Sequence, residues 1–298
     1  MTISIWHNFV PPPWGGGNQF LLALKNKMSK NNVALQENII DKDTNCCLIN
    51  AISFDVAKFK KEHNVFRPKV IHRVDGPVFL IRGFDKEKDD ICFSLNNEYV
   101  SATIVQSKWM FNKISEMGYV LKNPVIVYNA ANPEIFNRNN KIEFSIDRKI
   151  KIISASWSNN PRKGRDIYKW LDNNLDWNRF EYTFVGNIDA KFKNIKVIGP
   201  VDSIKLANII KQHDIYITAS KNDPCSNSLI EALSCGLPSI FFNDGGHPEI
   251  VGQGGLPFED VSKIPMQLNK IINNYTSFQN AIKINDMDFV YNKYMELL

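Results

Sequence analysis

The sequence lacks the features that mark several large classes of protein. It has no run approaching the ~18 consecutive apolar residues of a membrane-crossing helix. Its opening, "MTISIWHNFVPPPWGGG", has no basic segment leading into a long apolar one, so it does not read as a secretion leader. The G-x-G-x-x-G fingerprint of dinucleotide-binding folds is absent, which disfavours a dehydrogenase. There is no basic–aromatic patch of the kind that binds nucleic acid, no short-period repeat and no low-complexity tract. The five cysteines, Cys46, Cys47, Cys92, Cys225 and Cys235, are odd in number, and their spacings match no zinc site. They read as buried or free thiols in a reducing compartment. These absences together point to a cytoplasmic chain without a nucleic-acid partner, with peripheral contact at a membrane surface left open.

What is present suffices for a substantial core. Hydrophobic residues make up 44% of the 298, a length that suits two domains of about 150 residues each. The net charge of +5 is mildly basic. It fits a protein that handles anionic ligands or rests near an anionic surface, and it fits a solvated basic surface equally well. The short cluster Lys58, Lys60 and Lys61 carries the same two readings, with a solvated helix face preferred.

Apolar runs of buried-strand length alternate with amphipathic stretches along both halves. In the first half "ISIWHNF", "CCLINAI", "KVIHRV", "SATIVQS" and the start of "PVIVYNAANPEIF" read as strands. "GGGNQFLLALKNKM", "KDDICFSLNNEYV" and "KWMFNKISEMGY" read as helices, the first with Phe20, Leu21, Leu24 and Met28 near helical spacing. The polar stretch "NRNNKIEFSIDRK", 137–149, is the expected interdomain linker. In the second half "IKIISASW", "FEYTFVG", "IKVIGPV", "DIYITAS" and "PSIFF" read as strands. "RKGRDIYKWLDNNL", "DSIKLANIIKQH" and "SNSLIEALSC" read as helices, the last stopped by Gly236. "DMDFVYNKYMELL" reads as a closing amphipathic helix. Strands alternating with helices argue for right-handed βαβ units and a parallel sheet in each half. Two such domains would present a cleft at the carboxyl ends of their strands, where open α/β sheets take ligands.

Four stretches concentrate chemistry. Residues 11–20, "PPPWGGGNQF", put three adjacent glycines between a strand and a helix. Glycine lets the backbone approach a ligand, and a helix N-terminus offers N–H groups to an anion; a connecting loop without a ligand is the plainer reading. "VIHRVDGP", 70–77, sets His72, Arg73 and Asp75 where an apolar strand ends. His72 could donate to a phosphate or assist proton transfer, or the group could be an Arg73–Asp75 ion pair beside a satisfied histidine. In "SASWSNNPRKG", 154–164, Lys163 opens a helix after a strand, with Arg162 next to it. A cation there could neutralise a diphosphate, or be an ordinary surface lysine.

The fourth stretch, "SKNDPCSNSLIEALSCGLPSIFFNDGGHPEIVGQGG", runs from Ser220 to Gly255 and holds Asp223 and Glu231. Local rules cover most of it. Asp223-Pro224 initiates a turn. "SLIE" fits a capping box with Ser228 at the N-cap and Glu231 at N3. Gly236 is then the C-cap, and "NDGG" a turn. Those rules leave unexplained why two carboxylates, two glycine turns and a helix N-terminus crowd one strand edge.

That fourth stretch resembles the donor-binding segment of glycosyltransferase family 4, whose members have the GT-B fold. The family pattern is two glutamates separated by seven residues, an alanine-rich helix, a Gly-x-Pro, a strand and a GG-x-x-E turn. Glu231 matches the second glutamate, Gly236 and Pro238 the Gly-x-Pro, and Gly245, Gly246 and Glu249 the turn. Asp223 stands in place of the first glutamate, one methylene shorter. The loop Gly15, Gly16, Gly17 is similar to the family's first-domain loop near the acceptor and the donor phosphates. "KVIHRVDG" is similar to the strand end that often bears a histidine facing the reaction centre. "VYNAANPEIF" resembles the Asn-Gly turn before the linker, with Asn129 kept and Ala130 replacing the glycine. "SASWSNNPRKG" resembles the segment whose arginine and lysine grip the nucleotide diphosphate. Lys163 matches the lysine; Ser158 takes the arginine's place, with Arg162 nearby. The resemblance covers most of the chain, more strongly over 150–255 than before 125, and the first domain is short for the family.

The resemblance implies an α/β GT-B architecture: an acceptor-side Rossmann-like domain at 1–145, a nucleotide-sugar donor-binding Rossmann-like domain at 146–275, and a C-terminal helix at 276–298 returning to the first. It implies a retaining glycosyltransferase that moves a sugar from a nucleotide-diphosphate sugar to a hydroxyl of a glycan, lipid-linked or protein acceptor. No metal or other cofactor is expected. His72, Lys163 and Asp223 are the catalytic candidates. The donor-binding candidates are Gly15, Gly16, Gly17, Ser158, Arg162, Lys163, Asp223, Asn227, Ser228 and Glu231. Glu231 would receive the ribose hydroxyls, Asp223 a sugar hydroxyl, and Lys163 the diphosphate charge. Ser158 and Asp223 motivate a second class, a sugar-nucleotide-binding protein without catalysis. A third is another GT-B enzyme, such as a sugar-nucleotide epimerase or a phosphorylase, the latter without a recognisable cofactor-lysine site.

Overall fold

The computed structural model describes residues 1–11 and 15–298, which divide into two compact units. Unit 1 comprises Met1–Val10, Leu21–Asn129 and Met287–Leu298; unit 2 comprises Pro11–Phe20 and Ala130–Asp286. The chain therefore passes between the units four times, the second time inside a helix, after Phe20.

The first run of elements is β1 (Thr2–Trp6), α1 (Gly16–Lys30), β2 (Ala34–Glu37), β3 (Cys46–Asn50), α2 (Val56–Phe66), β4 (Lys69–Arg73), α3 (Val78–Arg82), α4 (Lys86–Tyr99), β5 (Ala102–Val105), α5 (Lys108–Glu116) and β6 (Pro124–Ile126). The strands form one parallel sheet in the order β2-β1-β3-β4-β5-β6. Every residue of β3 is buried, as expected of a central parallel strand covered by helices on both faces. Trp6, Phe54 and Phe59 meet edge-on, with ring centroids 5.1–5.7 Å apart, the arrangement aromatic quadrupoles favour. Helix starts follow side-chain caps: Asp55 accepts from the Lys58 N–H at 2.9 Å, and Ser107 from the Met110 N–H at 3.1 Å.

The second run is β7 (Ile150–Ser156), α6 (Arg165–Asn174), β8 (Phe180–Gly186), β9 (Lys196–Ile198), α7 (Ser203–Ile210), β10 (Ile215–Thr218), α8 (Asn227–Ser234), β11 (Ser239–Phe242), α9 (His247–Val251), β12 (Gly255–Phe258), α10 (Ile264–Asn273) and α11 (Tyr275–Asn280). Its sheet is also parallel, in the order β12-β11-β10-β7-β8-β9. Ile152, Leu171, Ile217, Ile240 and Leu268 are among the residues of its core. The last helix, α12 (Met287–Leu297), counts with unit 1 and buries Met287, Val290 and Tyr294.

Two strands lie outside the sequence expectation. β2 and β12 are short edge strands; Gln36 and Glu37 in one, and Gly255 and Pro257 in the other, break the apolar run that marks a central strand. The segment 137–149, expected as a linker, is tied into unit 2. The Ile142 N–H donates to the Lys211 carbonyl at 3.0 Å, Phe144 stacks on Tyr275 at 3.9 Å, and Arg148 makes two bonds to Asp214 at 2.7 and 2.8 Å. All five cysteines are buried and unbridged. Among the described residues no helix is long and apolar enough to cross a membrane.

Candidate functional site

In unit 2 the loops that follow β7, β10 and β11 converge, at the carboxyl end of the parallel sheet. After β7, the Ser158 hydroxyl accepts from the Asn160 N–H at 3.2 Å, and Asn160 accepts from the Arg162 N–H at 2.9 Å. This winds Pro161–Lys163 into a 3-10 turn. Gly164 follows at φ +93°, where an added Cβ would lie 2.3 Å from that of Ala219. The Lys221 N–H donates to the Arg162 carbonyl at 2.8 Å, so the loops after β7 and β10 are bonded to each other.

The loop after β11 clamps Asp223 from the other side. The Gly246 N–H donates to the Asp223 carbonyl at 2.9 Å, and the Asn222 N–H donates to Asp244 at 2.7 Å. Gly245 has φ +67°, and a Cβ on it would come 2.3 Å from the Asp223 carbonyl oxygen, so only glycine fits there. Lys163 Nζ then donates to Asp223 Oδ2 at 2.8 Å. Burial pushes the Asp223 carboxyl up; the Lys163 charge, the His247 imidazole and bonds from Lys163 and the Cys225 backbone outweigh it and hold the carboxyl below its ordinary value.

Glu231 lies on α8, only 9% exposed, and its side chain makes no hydrogen bond or ion pair among the described residues. Burial alone pushes its carboxyl up to about 8. The expected capping box is not formed. Ser226, not Ser228, is the N-cap, and its side chain makes no cap bond, so Glu231 sits too far along the helix to reach back. The Ser228 hydroxyl is taken instead by Tyr216 of β10, whose hydroxyl lies 2.9 Å from Ser228 Oγ and 3.3 Å from the Ala155 carbonyl. At the other end Cys235 is the C-cap, and Gly236 is the residue after it. The Gly236 and Leu237 N–H groups bond back to Leu233 and Ala232 at 2.8 and 3.1 Å.

The glycine loop reaches the same helix. A Cβ on Gly16 would stand 2.8 Å from that of Asn227, the first residue of α8, while Gly15 has open space and Gly17 lies in the first turn of α1. Residues 12–14 of that stretch lie outside the described residues. The structure thus places Gly16, Ser158, Arg162, Lys163, Asp223, Asn227, Ser228 and Glu231 in one unit, on the glycine loop, two further loops and the start of α8.

Two residues of this region escaped the sequence reading. Tyr216 is one; His247 is the other. His247 is fully buried directly after the glycine turn, with Nδ1 3.1 Å from the Phe242 carbonyl and Nε2 without a hydrogen-bond partner among the described residues. The signal was a polar residue at the point where "GGHPE" folds over Asp223, a stretch read only as a turn.

His72 lies in unit 1. It is fully buried in β4, with Nε2 3.0 Å from the Ala51 carbonyl and Nδ1 3.1 Å from the Asn96 amide; α4 lays Cys92 and Asn96 against it. Burial pulls the imidazole down to about 4, so it is a neutral core histidine. Arg73 beside it is buried too. It donates to Asn50 at 2.8 Å and to Asn129 at 3.3 Å, and Asp75 Oδ2 lies 3.6 Å away, so the ion-pair reading of this stretch is the one realised. His7, at the end of β1, adds a 3.3 Å contact to Asn50. Among the described residues no group of three or more His, Cys, Asp or Glu is placed to hold a metal ion.

Residues 177–274 match the family model described as glycosyl transferases group 1. Over 99% of its length the chain superposes on 98% of sucrose-phosphate synthase from Thermosynechococcus elongatus, with a TM-score of 0.78 at 12% identity. It superposes over the same shares on Anabaena HepE, solved with UDP-glucose, with a TM-score of 0.73 at 13% identity. The catalytic domain of starch synthase IV from Arabidopsis thaliana, bound to ADP and acarbose, gives a TM-score of 0.69 at 9% identity, again over 99% and 98%. No curated protein matches the chain in sequence. The chain has the GT-B fold of glycosyltransferases, and its residues 177–274 carry the pattern of glycosyl transferases group 1.

Proposed function

We propose that the protein is a retaining glycosyltransferase that takes its sugar from a nucleotide-diphosphate sugar. The observation that carries this reading is Glu231: a nearly buried carboxylate with no side-chain partner among the described residues, on the helix that starts beside the Lys163–Asp223 pair. A carboxylate largely withdrawn from water and without a donor is costly, and a ligand that supplies the donors would offset that cost. The two hydroxyls of a ribose do so, since one carboxylate can accept both.

In this reading the Lys163 ammonium meets the charge that builds on the departing diphosphate, with Arg162 beside it. The first-turn N–H groups of α8, to which Ser226 gives no side-chain cap, add positive potential at the same place. Asp223 holds a hydroxyl of the transferred sugar. The reading invokes no metal. The acceptor is a hydroxyl of a glycan, a lipid-linked sugar or a protein, and the work is done in the cytoplasm or at a membrane face.

A panel of nucleoside diphosphates and their sugar esters, screened by thermal shift, tests the reading, because a ligand that binds only the folded state raises its melting point. At least one sugar ester should stabilise the protein and release its nucleotide when an acceptor is added. Retention shows as an unchanged anomeric configuration in the NMR spectrum of the product. Stabilisation with no transfer to any acceptor would leave the binding-only reading, which Ser158 and the shorter Asp223 favour. No stabilisation by any member would sink both.

A further inference from the structure

The donor-binding reading leaves one buried group of unit 2 without a task. His247 is fully enclosed. The Phe242 carbonyl 3.1 Å from Nδ1 can only accept, so the neutral ring carries its N–H there and its lone pair at Nε2. Nε2 has no hydrogen-bond partner among the described residues, and a buried polar atom left unpaired calls for a physical reason. His247 also opens α9 directly after Gly246, the residue whose N–H holds the Asp223 carbonyl. Three charged groups act on the ring from the loops around it: Asp223 and Asp244 favour its charged form, and Lys163 opposes it. In the free protein Lys163 is spent on Asp223 at 2.8 Å, and burial keeps the imidazole neutral.

A bound diphosphate competes for that lysine. Once Lys163 turns to the phosphates, Asp223 is a buried carboxylate stripped of its cation, a costly state. A side chain able to replace the charge is His247, next in the chain to the Gly246 that holds the Asp223 carbonyl, and its bare Nε2 can take a proton. We propose that His247 is a positioning residue for Asp223: as Lys163 passes from Asp223 to the diphosphate of the donor, His247 takes up one proton at Nε2 and keeps Asp223 ionised in place for the sugar. The proton comes from solvent, one N–H bond forms, and Lys163 keeps its own three protons. The inference rests on the donor-binding reading above.

The test is a count of protons bound with the ligand. A nucleotide-diphosphate sugar from the panel is titrated calorimetrically, near pH 7, in buffers of different ionisation enthalpy. Its phosphates carry no group that titrates near neutrality, so the count reports the protein. Glu231 is the other group of this site that titrates there, and it would release a proton on binding, in His247 variants as in the parent. The parent should therefore take up more protons per ligand than His247→Gln and His247→Phe, by up to one. Equal counts would overturn the proposal while leaving the donor reading intact. If no sugar ester binds the parent, the donor reading falls and the proposal with it. Imidazole NMR on the unmodified protein serves where a variant does not fold. The His247 pKa should rise on ligand binding, and a pKa that stays where it was overturns the proposal.

Discussion

Lys163 and Asp223, 60 residues apart in the chain, are joined at 2.8 Å within unit 2. On the donor-binding reading, the cation that would grip a diphosphate is held on a carboxylate until a ligand arrives. Lys163→Ala should lower kcat/KM by about 10²- to 10³-fold, the usual scale for removing one charged donor from a transition state. Asp223→Asn should act differently. It frees the lysine, so a nucleoside diphosphate without sugar should bind as well as before or more tightly, while transfer falls. Equilibrium titration of the diphosphate against both variants separates the two roles; a parallel loss in both would mean that the pair acts only as a structural tie.

Glu231→Gln should stabilise the protein, and more so as pH rises. The unfolded carboxyl loses its proton near its ordinary value of about 4.3, whereas the folded one holds it up to about 8. The stability contributed by the protonated form is fully present below the unfolded value and is lost as pH rises through the folded one. Glutamine removes that loss. Thermal melts should show little gain at acid pH and a gain on the order of 2–4 kcal/mol by pH ~8. Donor affinity should fall in the same variant. A gain that stays flat across the series would show that Glu231 is not held protonated.

Acid should unfold the protein through its neutral histidines. Burial pulls His72 and His213 down to about 4 each, against about 6.5 in an unfolded chain. Their contribution is complete above the unfolded value and is lost as pH falls toward the folded one, because the unfolded chain then binds protons the folded one refuses. Denaturant melts between pH ~7 and ~4 should show stability dropping by a few kcal/mol. His72→Gln should lower Tm while leaving kcat/KM within about two-fold, because a polar core position acts on stability rather than on the reaction. A collapse of kcat/KM with Tm unchanged would return His72 to the catalytic machinery.

Gly245→Ala should damage the site more than its size suggests. The added methyl meets the Asp223 carbonyl at 2.3 Å, on a residue whose φ of +67° already disfavours a side chain. We expect at least a ten-fold loss of donor affinity along with a lower Tm. Gly199→Ala is the control: a Cβ there has nothing within 4 Å, and binding should be unchanged. Equal behaviour of the two variants would mean that the turn does not set Asp223.

Two parallel sheets were legible because β1, β3, β4, β7, β8 and β10 carry apolar runs between polar helices. Of the four edge strands, β6 and β9 were legible and β2 and β12 were not, because a strand with one open edge need not be apolar along its length. The site was legible where residue type and turn chemistry coincide, as at Lys163, Asp223 and Gly245. It was misread where three candidate caps stand in a row. In "SNS" only the tertiary bond from Tyr216 decides that Ser228 faces the sheet and Ser226 starts the helix. The burial of His72 was hidden for a similar reason. A polar residue at a strand end looks accessible until α4 closes over it with Cys92 and Asn96, 20 and 24 residues later. His247 was invisible because its interest lies in an absent bond, and a pattern of residue types does not show which atoms go unpaired.

The four passages of the chain between the units bear on how the protein is made. Unit 1 begins first, yet α12, which buries Met287, Val290 and Tyr294, is the last helix of the chain. On the ribosome the six strands of unit 1 must wait, with the seat of that helix open, while nearly all of unit 2 is synthesised. Unit 1 is therefore completed only after unit 2. Its exposed apolar seat during that interval is where a chaperone or a misfolding event would act.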